Sequence, residues 1–87
     1  MDNTLQSIVL DWIPAQSKVV DFGCGDGALL KILTEQKSVN GYGVENDLEK
    51  INACIVNGVS VIQQDIDDGI QNYKGMGFDV AVMASSI

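Results

Sequence analysis

Three glycines at alternating positions, Gly23, Gly25 and Gly27, follow directly on an apolar run and frame the segment Asp21-Phe22-Gly23-Cys24-Gly25-Asp26-Gly27. Glycines so placed let a backbone turn sharply and approach a ligand with no Cβ in the way. The N-terminus of a helix behind such a loop offers free N–H groups and partial positive charge. A second chemical feature is Glu45, which ends the stretch Tyr42-Gly43-Val44-Glu45. A carboxylate at that distance from the loop can accept hydrogen bonds from the ribose hydroxyls of an adenosine ligand, and is otherwise a solvated charge at a loop mouth. A third is Asp65, after Val59-Ser60-Val61-Ile62-Gln63-Gln64. It can accept from an adenine exocyclic amine while the neighbouring Ile66 packs the ring, and it is equally well placed to cap the following helix. A lone G-x-G is weak and fits any strand-to-helix turn; three alternating glycines with two acids at later strand ends are a stronger pattern.

These residues need elements to hold them, and the chain alternates helical and strand patterns throughout. Leu5, Ile8, Val9 and Trp12 mark one face of a helix over 4–13, which Pro14 ends. Lys18-Val19-Val20-Asp21-Phe22 reads as the first strand, and Leu29, Leu30 and Leu33 as the buried stripe of the next helix. Residues 42–45 form the second strand. Asn46 and Glu49 are spaced as a capping box for a helix that carries Leu48, Ile51 and Ile55 inward and stops at Asn57-Gly58. Residues 59–63 are a third strand, Ile66, Ile70 and Tyr73 a short helix whose first turn holds Asp67 and Asp68, and 78–83 a fourth strand. Strands separated by helices predict a parallel sheet with right-handed crossovers, in the order 3-2-1-4, over 18–83. The fold class is therefore α/β, a Rossmann-like three-layer arrangement, with ligand-contacting residues at the carboxyl ends of the strands.

Composition narrows the functions. The 87 residues make one small domain, 46% apolar, with 12 acidic against five basic side chains, net charge −7. All five basic residues are lysines and none cluster, so the arginine forks that read phosphate and guanine are missing and nucleic acid is an unlikely partner by charge. There is no His, the commonest general base and metal ligand, and no metal is expected. Apolar runs are too short to span a membrane, and the first residues lack a signal pattern, which predicts a cytoplasmic protein. Cys24 and Cys54 stand thirty positions apart, a spacing that suggests neither a metal nor a redox pair and predicts reduced thiols.

The run Val19-Val20-Asp21-Phe22-Gly23-Cys24-Gly25-Asp26-Gly27 resembles the first motif of class I S-adenosylmethionine-dependent methyltransferases. Residues 20–30, 41–45, 54–59 and 61–67 together resemble the characteristic segments of the methionine biosynthesis protein MetW family. The resemblance implies S-adenosylmethionine or S-adenosylhomocysteine as cofactor, with Asp21, Gly23, Cys24, Gly25 and Gly27 facing its methionine part. Glu45 would hold the ribose, with Asn46 also in the cofactor site, while Asp65 would meet the adenine and Ile66 flank it. It implies a place in methionine biosynthesis, either as a methyltransferase or as an accessory partner of a homoserine O-acyltransferase. Family members continue with further strands and helices, so 1–87 is expected to be the N-terminal part of such a domain. Residues 80–83 would then form an open apolar edge prone to self-association.

A competing reading is an NAD-dependent oxidoreductase, because Gly23, Gly25 and Ala28 also fit G-x-G-x-x-G/A and Glu45 could hold an NAD ribose. Two features oppose it. Asp21 stands where the dinucleotide strand is usually apolar, and Asp65 has no standard role with nicotinamide. The acid-rich mouth also suits a cationic sulfonium better than a pyrophosphate. No residue is singled out as catalytic. Ala84-Ser85-Ser86-Ile87, where methyltransferases often place catalytic groups, lacks the Asn/Asp-Pro-Pro-Tyr signature, and no His or Arg is present to activate a serine.

Overall fold

The computed structural model describes residues 3–73 and 75–83. Four helices and four strands follow one another as α1 (Asn3–Trp12), β1 (Lys18–Phe22), α2 (Ala28–Lys37), β2 (Asn40–Glu45), α3 (Leu48–Val56), β3 (Val61–Gln63), α4 (Ile66–Tyr73) and β4 (Val80–Val82). The strands form one parallel sheet in the expected order β3-β2-β1-β4. Register aligns their carboxyl ends. Phe22 of β1 lies opposite Val44, and Glu45 opposite Gln63.

Side-chain alternation along β1 assigns the two layers. Val19 points into a core with Ile13, Cys24, Leu30, Leu33, Val39 and Cys54, so α1, α2 and α3 share that side. Val20 and Phe22 point the other way, into a smaller cluster with Val44 that Ile66, Tyr73 and Phe78 flank. By the same parity Asp21 belongs to the side of Val19. Among the described residues only α4 covers the second side. There Tyr73 meets Phe22 and Phe78 with ring centroids 6.1 and 5.5 Å apart, and Lys18 Nζ sits 4.6 Å over the Phe78 ring. The turn before β4 is tied to β1 by the Lys18 N–H, which donates to Asp79 Oδ2 at 2.8 Å.

Helix phase departs from the expected stripes. In α1, Trp12 is 81% exposed, while Val9, Leu10 and Ile13 pack against the core; the side chain of Leu5 lies outside the described residues. In α3, Leu48 and Ile55 are more than 60% exposed, and the buried position is Cys54. The cap of α3 is Asp47 rather than Asn46, its carboxylate accepting the Glu49 N–H at 2.9 Å. With so many apolar residues available on each short helix, packing against the sheet selects the phase that reaches it. The expectations for residues 84–87 lie outside the described residues.

Candidate functional site

At the carboxyl end of β1 the chain turns through three left-handed glycines, Gly23, Gly25 and Gly27, with φ of 74°, 61° and 80°. A side chain would strain each of these conformations. Gly27 also abuts Val59 and Cys54, since a Cβ there would come within 3.1 Å of the Cys54 sulfur. The loop is thus seated on α3 and on the turn that leads into β3, and α2 begins immediately behind it.

Alternation places Glu45, like Asp21, on the packed side of the sheet, two residues beyond Gly43, the register partner of Asp21. Glu45 is 9% exposed and Asp21 2%. Two buried acids at adjacent strand ends should repel, and the structure treats them differently. Glu45 accepts three backbone N–H bonds: Gly25 N–H to Oε1 at 3.0 Å, and Asn46 and Asp47 N–H to Oε2 at 3.0 and 3.1 Å. Burial opposes the charged form of Glu45, yet those N–H groups, with Lys50 beyond them, outweigh it and hold the carboxyl below its usual range. Asp21 has no such support. Its Oδ1 is buried without a hydrogen-bond partner. Burial, and then the charge of Glu45, push its pKa up to about 7.

Glu45 thus clasps the glycine loop to the turn that opens α3. The same loop is gripped from the other side by α3. Asn57 Nδ2 donates to the Asp26 carbonyl at 2.9 Å, and the Cys54 thiol donates to the Gly25 carbonyl at 3.1 Å. Asp26 Oδ1 accepts the Ala28 N–H at 3.0 Å and closes the start of α2.

The structure brings Asp21, Cys24, Gly25, Gly27 and Glu45 together around this loop, and Asn46 joins them through its backbone. Asp65 stands just beyond the end of β3, one strand further out, where it accepts the Asp67 N–H at 2.9 Å and caps α4. Ile66 packs on the second side of the sheet, against the cluster of Val20, Phe22 and Val44. Two residues of the loop's surroundings escaped sequence reasoning. Cys54 lies under Gly25 and Gly27, and its sulfur is 3.6 Å from that of Cys24, so the fold brings together two free thiols that stand thirty positions apart. Gly43 makes that contact possible, because a Cβ on it would collide with the Cys24 sulfur. A glycine inside an apolar strand was the available signal for such a close approach.

This sheet order, with a glycine loop after β1 and an acid at the end of β2, defines a class I methyltransferase-type fold. Among solved structures it is similar to a methyltransferase of Geobacter sulfurreducens described as dependent on S-adenosylmethionine, in complex with S-adenosyl-L-homocysteine, at TM-score 0.65 and 16% identity, over 75% of this chain and 30% of that one. It is similar also to an RNA methyltransferase of Salinibacter ruber, at TM-score 0.61 and 18% identity, over 78% of this chain and 51% of that one. The family model for "Methionine biosynthesis protein MetW" matches residues 4–87, and the chain belongs to that family. A curated relative, the bifunctional methionine biosynthesis protein MetXA/MetW of Rhodopirellula baltica, is 29% identical over 93 residues; the match takes in 98% of this chain and 15% of the relative's length.

Proposed function

We propose that the chain binds S-adenosylmethionine, or S-adenosylhomocysteine, at the carboxyl ends of β1, β2 and β3, and serves methionine biosynthesis in that role. The observation that carries this reading is the pair of buried acids beside the left-handed glycine loop, one saturated and one orphaned. The orphaned Oδ1 of Asp21 is an acceptor in a dry place; an ammonium group beside it would supply both the missing donor and the missing charge, and a sulfonium the charge alone. A pyrophosphate would instead bring like charge to two acids, which disfavours the NAD reading on geometry. Gly23, Cys24, Gly25 and Gly27 would line the methionine part, Glu45 and Asn46 the ribose, and Asp65 and Ile66 the adenine. Once bound, the cofactor carries an electrophilic methyl group on sulfur.

Hydrogen-bond capacity sharpens the role of Glu45. A carboxylate offers about four lone-pair sites, and three are already taken by backbone N–H groups. One ribose hydroxyl can be accepted with the loop as it stands. Glu45→Ala therefore removes a ligand contact and a loop clasp together, weakening adenosine ligands by about 1–3 kcal/mol. Calorimetric titration with S-adenosylmethionine, S-adenosylhomocysteine and NAD tests the reading; NAD binding alone, or affinity untouched by Glu45→Ala, overturns it.

The R. baltica relative supports a second reading, since its name joins MetXA and MetW in one bifunctional protein. In that reading the chain acts beside a homoserine O-acyltransferase, and its cofactor reports the state of the pathway rather than donating a methyl group. Co-purification with the acyltransferase, and a change in that enzyme's rate on adding S-adenosylmethionine, are the expected results. Absence of both would eliminate it.

A further inference from the structure

The Cys24 and Cys54 sulfurs lie 3.6 Å apart, with both residues at most 5% exposed, and nothing in the proposed ligand chemistry uses them as a pair. A disulfide needs about 2.05 Å between sulfurs, so closure asks each sulfur to move by less than an ångström along their line. The Cys24 sulfur rests in the notch left by Gly43, where a Cβ would collide with it. Closure also has a consequence. Cys54 donates its S–H to the Gly25 carbonyl at 3.1 Å, while the Gly25 N–H donates to Glu45 Oε1 at 3.0 Å, so one residue of the loop joins the thiol pair to the clasp.

We propose that Cys24 and Cys54 form a modification site: a hydroperoxide closes them to an intramolecular disulfide, which releases Gly25 from Cys54 and loosens the Gly25–Glu45 clasp. In the first step one thiol takes an oxygen from the peroxide, giving a sulfenic acid and releasing an alcohol, or water when hydrogen peroxide is the oxidant. The second thiol then attacks that sulfur, forms the S–S bond and expels water. Two electrons pass from the two sulfurs to the O–O bond, and the thiol protons leave with the water formed. Burial holds both thiols neutral, so they react when the loop opens and are shielded while it stays shut. A ligand that shuts the loop slows oxidation; where it also needs the Gly25–Glu45 clasp it disfavours the disulfide at equilibrium, and by reciprocity the disulfide weakens that ligand. This last step rests on the ligand reading above; the disulfide and its effect on Gly25 do not.

The test treats the full chain with hydrogen peroxide in the absence of ligand, then measures intact mass, thiols titratable after denaturation, and the amide resonance of Gly25. The expected result is loss of two hydrogen masses, loss of both thiols, and a displaced Gly25 amide with faster hydrogen exchange. Cys54→Ser keeps an O–H donor toward Gly25 and is expected to abolish the crosslink, leaving Cys24 to gain oxygen instead. Both thiols surviving treatment, or oxygen adducts without a crosslink in the unsubstituted chain, would overturn the site. A disulfide that leaves the Gly25 amide unmoved would overturn the coupling. With S-adenosylhomocysteine as probe, oxidation is expected to weaken binding about fivefold or more. If neither form binds that probe, the ligand reading falls, while the mass and amide results still decide the disulfide.

Discussion

The two sides of the sheet are built to different standards. On one side three helices bury Val19, Leu33 and Cys54 completely and Leu30 to within 1%. On the other, α4 stands alone: Ile62 and Ile70 remain 38% and 40% exposed, and a cavity of about 650 Å³ opens between Val20, Phe22, Ile70, Tyr73, Phe78 and Ala81. Asp21 and Glu45 both belong to the closed side. Burial raises the pKa of Asp21, and backbone N–H groups hold that of Glu45 down against burial, so the dense packing of α2 and α3 helps set the chemistry of the glycine loop. The open side contributes aromatic contacts and no buried charge.

The sharpest test of this contrast is a pair of truncations. Leu33→Ala on the closed side is expected to cost about 2–5 kcal/mol, since a fully packed site leaves a cavity. Ile70→Ala on the open side is expected to cost about 1 kcal/mol or less, because that side chain is already partly in water. Denaturant unfolding of both variants measures the difference. Equal losses would show that the two sides are equally packed in solution.

Asp21 gives the next largest effect, and its sign is opposite. Its folded pKa of about 7 stands above the ordinary carboxylate value of 3.8 that the unfolded chain keeps. Below about pH 4 both states hold the proton, and the group contributes nothing to the pH dependence. As pH rises from there to 7 the unfolded state releases its proton first, so stability falls across that window and levels off above it. Asp21→Asn, which carries no proton to lose, is expected to flatten that decline and raise stability at pH 8 by on the order of 2–4 kcal/mol. At pH 4 it should change little. Melting temperatures across pH 4–8 read this directly, and an unchanged slope would place Asp21 in contact with solvent. Its affinity for a cationic ligand should move the other way, since the substitution removes the charge the ligand would meet.

How much of this was legible beforehand follows from where the information resides. The glycine loop was legible in the residues from Val19 to Gly27, and the strand order in the alternation of strands and helices over 18–83 with the handedness of crossovers. The phase of α1 was not. Six apolar residues within Leu5–Ile13 support more than one stripe, and contact with α2 and the sheet chose Val9, Leu10 and Ile13 over Trp12. In α3 the inward position is a cysteine, which a search for large aliphatic residues passes over. The distinct states of Asp21 and Glu45 were invisible for another reason: which carboxylate receives the free N–H groups depends on how the chain leaves β2, not on either residue's identity. Asp65 was readable as a cap, and the structure uses it so.

The smallest expected effect concerns the edge of the open side. Among the described residues β4 pairs only with β1, so the other edge of Val80–Val82 offers unpaired backbone groups beside the exposed Ala81 and Met83. Unpaired apolar edges recruit further strands, and two copies meeting there would also cover part of the cavity flanked by Val20 and Phe78. Sedimentation is expected to show reversible self-association that strengthens with concentration. Ala81→Lys sets a charge on the open face of that edge strand and leaves the closed side, with Val80 and Val82, untouched. It should therefore weaken association by about 1–2 kcal/mol without moving the melting temperature of the monomer. A chain that sediments as a monomer at every concentration, or a lysine variant that associates as before, would remove the edge from the comparison and leave the open side explained by its thin packing alone.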